Sequence, residues 1–262
     1  MGRGSALKIR VQTVGEAVLV SPSGTLELTT APQLRTFLAR RLADQPGAVI
    51  VLLQDLVLAK SHSLSVFTTL ARQVADWSGV PLLLVTGRNR SRELQRHSEL
   101  ISRFIPVHPD LASALAAMHN PPARQLSRLR LAPEPHSAAT ARRFVASVCE
   151  LWHCEEVAED AVAIVSELVA NVVRHAKTDA DLRLELRRQR LTVSVADGSP
   201  LLPVRRPPGV RENGLGLGIV TALSSAWGAS PTSSGGKVIW ATIGLRSPNA
   251  RVAINNSWRN GL

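Results

Sequence analysis

The chain has 262 residues, 45% of them hydrophobic but only 3% aromatic and none Tyr, which provides aliphatic cores over more length than the roughly 100–200 residues of one domain. Its net charge of +11 invites contact with phosphates, yet the arginines are dispersed, from Arg40-Arg41 to Arg205-Arg206, without the aromatic interleaving that stacks bases; direct nucleic-acid binding is disfavoured. No run approaches the about 18 apolar residues of a membrane span, and MGRGSALKIRVQ has no signal-peptide core, so no membrane association and a cytoplasmic protein are expected.

Residues 7–20 alternate apolar and polar around Val14-Gly15-Glu16, which predicts a β-hairpin, and Gly24 predicts a turn. From Ala31, the spacing of Leu34, Phe37, Leu38 and Leu42 predicts a helix. The apolar runs AVIVLL (48–53) and PLLLVTG (81–87) predict buried parallel strands. Helices are expected over 63–77, 90–100 and 111–118, and a short strand over 105–107. Strands alternating with helices imply a mostly parallel sheet with helices packed on it.

The segment NPPARQLSRLRLAPEP (120–135) carries four prolines and is predicted to link two domains, with SRLRLA as a strand joining the second. Ser137 is the expected N-cap of a helix whose inner face carries Phe144, Val145, Val148 and Leu151. Cys149 and Cys154 flank His153, but their spacing matches no metal-ligand pattern and they are expected to be free thiols.

The segment DAVAIVSELVANVVRHA (160–176) holds Glu167, Asn171 and His175 four residues apart. At about 100° per residue these lie nearly above one another on a helix otherwise apolar. The spacing alone leaves two readings open, a site or a solvated face. Alternation in LRLELRRQRLTVSVADG (182–198) predicts a hairpin turning near Arg188-Gln189 and ending in Asp197-Gly198. The irregular LLPVRRPPGVREN (201–213) is long for a passive connection and suits a lid. Gly214, Gly216 and Gly218 then open a helix expected to run through IVTALSSAW, and KVIWATIGL is a closing strand.

The first part resembles a STAS domain of the anti-sigma-factor antagonist type, through Gly24-Thr25-Leu26-Glu27, AVIVLL and the loop and helix at Lys60 to Leu64. In that family the loop usually reads Asp-Ser-Ser-Gly-Leu, with the second serine phosphorylated. This chain has Lys60-Ser61-His62-Ser63-Leu64, so His62 falls at the phosphoacceptor position. Ser61 and Ser63 are the candidate switch residues, and the same hydroxyls would serve as helix N-caps. The departure favours a module that binds partners without being switched.

The second part is similar to the ATP-binding domain of the GHKL superfamily, in the anti-sigma-factor serine kinase branch, through ELVANVVRHA, VADGSP and ENGLGLGIV in order. The implied fold is α/β in two domains: a STAS-like mixed sheet with helices over 1–118, a linker at 119–136, and a Bergerat-type α/β sandwich of a mixed sheet covered by helices over 137–246. Residues 247–262 are expected to be a disordered tail. The implied ligands are ATP and Mg2+. Asn171 would be the metal ligand, Glu167 the catalytic carboxylate, His175 a phosphate or lid contact, Asp197 the acceptor for the adenine amino group, and Gly198 the point where backbone passes the base. Gly214, Gly216 and Gly218 would present amides to the phosphates, with Arg205, Arg206 or Arg211 in the lid. The resemblance implies serine phosphoryl transfer to a STAS anti-anti-sigma partner, coupled to a sigma factor, in kinases that are often dimers. The alternative is a non-catalytic scaffold that senses ATP.

Overall fold

The computed structural model describes residues 7–59, 64–75, 79–87, 101–102, 105–118, 124–203 and 215–245. It divides into two compact units, Met1–Pro122 with Ser230–Gly236, and Ala123–Ala229 with Lys237–Leu262. The fold class is the expected one, mixed α/β with two sheets. Among the described residues no helix is long and apolar enough to cross a membrane.

In the first unit, β1 (Lys8–Val14) and β2 (Ala17–Leu26) form the expected hairpin, with Val14 opposite Ala17 and Gly15 at φ +57° in the turn. After α1 (Ala31–Ala43) come β3 (Ala48–Leu52), β4 (Leu56–Leu58), α2 (Ser65–Ala75), β5 (Leu82–Val85), β6 (Val107–His108) and α3 (Leu111–Met118). The sheet order is β1-β2-β3-β5-β6, antiparallel at its first pair and parallel thereafter. Alternation along the strands fills both faces. Ala17, Leu19, Ile50, Leu83 and Val85 share a core with α3, while α1 contacts β2 and β3 and packs on α2.

Gly24 is not a turn. Strand β2 runs through it at φ +104° and changes partner there: Ala17–Val20 pair with β3, and Gly24–Leu26 pair with β4. Only glycine adopts that φ at little cost, and the resulting kink lets one strand serve two neighbours. The expected helix over 90–100 and the Ser61-His62-Ser63 loop lie outside the described residues.

The second unit is a five-stranded sheet of order β10-β11-β9-β8-β7. Its strands are β7 (Arg124–Leu131), β8 (Ala180–Arg187), β9 (Arg190–Asp197), β10 (Ala226–Pro231) and β11 (Lys237–Gly244), with β7, β8, β9 and β11 joined antiparallel. Leu126, Leu129 and Leu131 thus belong to a strand that pairs with β8. Three helices accompany the sheet: α4 (Ser137–Leu151), α5 (Ala158–Asn171) and α6 (Leu215–Leu223). The shared core takes Val145 and Val148 from α4, Ile164, Val165 and Leu168 from α5, Val220 from α6, and Leu182, Leu184, Val193, Val195 and Ala241 from the sheet.

The β8-β9 hairpin turns at Arg188 (φ +49°) and Gln189 (φ +62°). Two successive left-handed residues make the turn whose twist matches the strands it joins. Ser137 is the first residue of α4 rather than its N-cap, which is His136; the Ser137 hydroxyl donates instead to the Ala132 carbonyl at 2.6 Å. Leu151, expected inside, is 72% exposed, because the helix ends there and the chain reverses at His153 with φ +53°. Helix α6 stops at Leu223, short of the expected Trp227. The Ser224 hydroxyl bonds to the Val220 carbonyl at 2.6 Å, and Ala226 begins β10, held against β11. At Gly228 a Cβ would meet Trp240 Cζ2 at 2.6 Å, so that strand needs its glycine for close packing.

Cys149 and Cys154 are free and buried. Burial first, then the neighbouring Cys154, pushes the Cys149 thiol up to about 12, and burial also raises Cys154. A thiol reagent applied at pH 8 is therefore expected to leave the folded protein unlabelled and to modify both residues after unfolding; rapid labelling of the native chain would contradict the buried placement. The folded state holds its proton longer, so the contribution to stability is full below the unfolded thiol pKa of about 8.5 and is lost as pH rises toward the folded value.

Candidate functional site

Helix α5 starts with Glu159 and Asp160 in its first turn, where negative charge suits the helix dipole. It does not end as a simple α-helix. Val172–Ala176 form a π-turn, closed by the Lys177 N–H donating to the Val172 carbonyl at 2.8 Å, with Lys177 left-handed at φ +54°. Such widened turns are rare and concentrate at functional sites.

On this helix Glu167 and Asn171 face one common partner, Arg174. One guanidinium nitrogen, Nη2, donates to Glu167 Oε1 at 3.1 Å and to Asn171 Oδ1 at 3.2 Å, and Nε donates to the Ala170 carbonyl at 3.3 Å. The Glu167 side chain is 18% exposed and that of Arg174 56%, so the carboxylate is sheltered and the cation lies at the rim. His175 sits on the π-turn and is exposed, with no side-chain hydrogen bond among the described residues. The four-residue stripe thus holds for Glu167 and Asn171, and the widened turn changes the angle at which His175 leaves the helix.

The second group forms where β9 ends. Antiparallel register puts Asp197 between Ala180 on β8 and Lys237 on β11. Asp197 Oδ1 accepts from Lys237 Nζ at 2.8 Å and from the Ser199 N–H at 2.8 Å, and both side chains of the ion pair are at least nine-tenths buried. These bonds use one carboxylate oxygen; Oδ2 takes no hydrogen bond among the described residues. The Gly198 N–H donates to Thr178 Oγ1 at 2.9 Å, and a Cβ at Gly198 would approach Thr178 Cγ2 to 3.2 Å. Thr178 follows the π-turn after Lys177, so the segment carrying Glu167 and Asn171 also anchors the loop after Asp197. Helix α5 packs on β9, β11 and α6.

Gly216 and Gly218 lie in the first turn of α6. A side chain at Gly218 would meet nothing within 4 Å, so packing inside the unit does not require this glycine. Glycine within a helix costs about 1 kcal/mol against alanine, and an open approach to the helix start is what it provides here. Gly214, Arg205, Arg206 and Arg211 lie outside the described residues.

Among the described residues no cluster of three His, Cys, Asp or Glu side chains could hold a metal ion. An amide oxygen beside a carboxylate nevertheless fits a Mg2+ that takes its remaining ligands from phosphates and water. Arg174, Lys237 and Thr178 were not singled out from sequence. Arg174 stands inside the Glu-Asn-His segment, three residues after Asn171, where helical adjacency was a usable signal. Lys237 carried no such signal, since only strand register brings it to Asp197.

Residues 131–243 match the family described as the histidine kinase-like ATPase domain. No curated protein matches the chain significantly. Among solved structures, the chain is similar to an anti-sigma factor antagonist from Mycobacterium paratuberculosis, at 22% identity over 44% of this chain and 95% of that one, with a TM-score of 0.37. It is similar to the RsbU and RsbW domains of Rv1364c from Mycobacterium tuberculosis, at 19% identity over 47% of this chain and 33% of that one, with a TM-score of 0.36. A third similarity is to the anti-sigma factor antagonist SpoIIAA in its unphosphorylated form, at 13% identity over 43% of this chain and 97% of that one, with a TM-score of 0.32.

Proposed function

We propose, from the premise that residues 131–243 are a histidine kinase-like ATPase domain, that this chain is an ATP-dependent protein serine kinase of the anti-sigma type, joined to a STAS-type module over 1–118. Its substrate is a serine on a STAS anti-anti-sigma protein, and the exchange is coupled to capture or release of a sigma factor in the cytoplasm. The observation that supports this most is the sheltered Glu167 one turn from Asn171, on a helix packed against the strand that ends in Asp197-Gly198.

In this reading each group has a distinct task. Asp197 accepts the adenine amino hydrogen, and Gly198 allows the base to lie close to the backbone. The start of α6 at Gly216 and Gly218 takes the phosphates with its N–H groups. Asn171 Oδ1 is the protein ligand for Mg2+, which would supply neutralisation of phosphate charge. Glu167 accepts the proton of the attacking serine hydroxyl as the new serine oxygen to phosphorus bond forms and the bond to ADP breaks. His175 is the residue nearest in sequence to donate to phosphate from the rim. Ser61 and Ser63 remain candidate switch hydroxyls of the first module.

A second reading rests on a specific observation: the Glu167 carboxylate is already engaged by the Arg174 guanidinium. This favours a scaffold that senses ATP without transferring phosphate. Incubation of the full chain with γ-labelled ATP, Mg2+ and purified STAS proteins separates the two. Label on a STAS serine is expected. ATP binding with no transfer to any of them would leave the sensing scaffold.

A further inference from the structure

The position of Arg174 has a consequence beyond its pairing with Glu167. Its Nη2 lies 3.1 Å from Glu167 Oε1 and 3.2 Å from Asn171 Oδ1, so one cationic nitrogen already engages both oxygens assigned to base and metal. A guanidinium only donates, and the Asn171 oxygen that receives it points toward it. A Mg2+ ion held by the same oxygen would set a divalent charge against the guanidinium, which is unfavourable even at a partly exposed site. The two cations therefore compete for Asn171 Oδ1.

Resting on the ATP-site reading above, we infer that Arg174 is the resident cation of this site and its gate: it holds Glu167 and Asn171 until the metal-nucleotide complex displaces it. The geometry suits an exchange. Glu167 is sheltered and stays in place, whereas the Arg174 side chain is 56% exposed and carries its charge on a long flexible stem. It is also tied to the Ala170 carbonyl near the end of the α-helix, where cations are favoured, so it has a defined resting position. An ion pair exposed to this degree is held by a factor of at most about five, weak enough for a divalent ion to overcome. Apparent metal affinity is the intrinsic affinity multiplied by the fraction of molecules in which Arg174 is out of place. The gate also keeps Glu167 neutralised in the absence of nucleotide, so that base and metal site become available together.

The test is a Mg2+ titration of the full chain binding the non-hydrolysable β,γ-imido analogue of ATP, read by calorimetry, for wild type, Arg174→Gln and Arg174→Lys. Arg174→Gln is expected to reach half-saturation at about fivefold lower Mg2+ than wild type, and Arg174→Lys to stay near wild type. A melting temperature near that of wild type for both variants keeps the comparison free of folding effects. An unchanged Mg2+ requirement in Arg174→Gln overturns the inference, as does an equal loss of binding with and without Mg2+, which would make Arg174 a phosphate ligand instead. Failure of the wild type itself to bind the analogue at any Mg2+ concentration removes the ATP site and this inference with it.

Discussion

Glu167→Gln is expected to lower phosphoryl transfer to a STAS serine by about 10²- to 10⁴-fold, the range for loss of a positioned general base. The amide is nearly isosteric with the carboxylate and its oxygen still accepts from Arg174, so the local geometry is kept while the proton acceptor is lost. Nucleotide affinity should then not fall, because the lost proton transfer acts only in the transition state and a loosened hold on Arg174 favours the metal-nucleotide complex. Single-turnover transfer measured beside nucleotide titration checks both halves. Transfer at the wild-type rate would show that Glu167 only lines the pocket. Weakened binding with unchanged transfer would make it a ligand of the bound complex rather than a base.

Lys237→Met is expected to destabilise the second unit by about 3–5 kcal/mol, the cost of leaving one charge of a buried pair without its partner. Asp197 has a side chain only 2% exposed, and Lys237 supplies its only positive charge within hydrogen-bond distance among the described residues. The Ser199 N–H continues to satisfy Asp197 Oδ1 and moves the expectation toward the lower end of the range. Combining Lys237→Met with Asp197→Asn removes both charges and should recover part of the loss, since a buried pair costs desolvation on each side. Urea denaturation followed by circular dichroism, fitted for two units, measures the difference. A single variant within about 1 kcal/mol of wild type, the size of an exposed pair, would place the ion pair in contact with water. In the ATP site proposed above, the same ion pair leaves Oδ2 as the oxygen for the adenine amino group, since Oδ1 is taken by Lys237 and Ser199.

Local pattern and tertiary register divide what could be read in the sequence from what could not. The β8-β9 hairpin was legible because Leu182, Leu184 and Leu186 answer Leu191, Val193 and Val195 within a few residues. Glu167 and Asn171 were legible for the same reason, being one helical turn apart. Strand β4 was missed because three residues, Leu56 to Leu58, give no period, and their partner Gly24–Leu26 lies about 30 positions earlier. Strand β10 was missed because AWGASP has no alternation; its pairing with β11 ends α6 early. Lys237 meets Asp197 across 40 positions of chain, so its role is fixed by register alone. Arg174 was in plain view within the Glu-Asn-His segment but was given no role, since charge content does not reveal that one guanidinium would bridge two neighbouring side chains.

The π-turn at Val172–Ala176 acts as a spacer of fixed length. Only seven positions of chain separate Asn171 from Thr178, whose hydroxyl holds the Gly198 N–H at the far end of β9. One wide coil of backbone therefore measures out the distance between the Glu167 and Asn171 oxygens and the loop after Asp197. Tightening that coil to an ordinary α turn would take up one residue of slack and rotate Thr178 away from Gly198. Both groups are gauged by a single turn of the same helix, and in the ATP-site reading proposed above a shift at either one is carried to the other through the backbone.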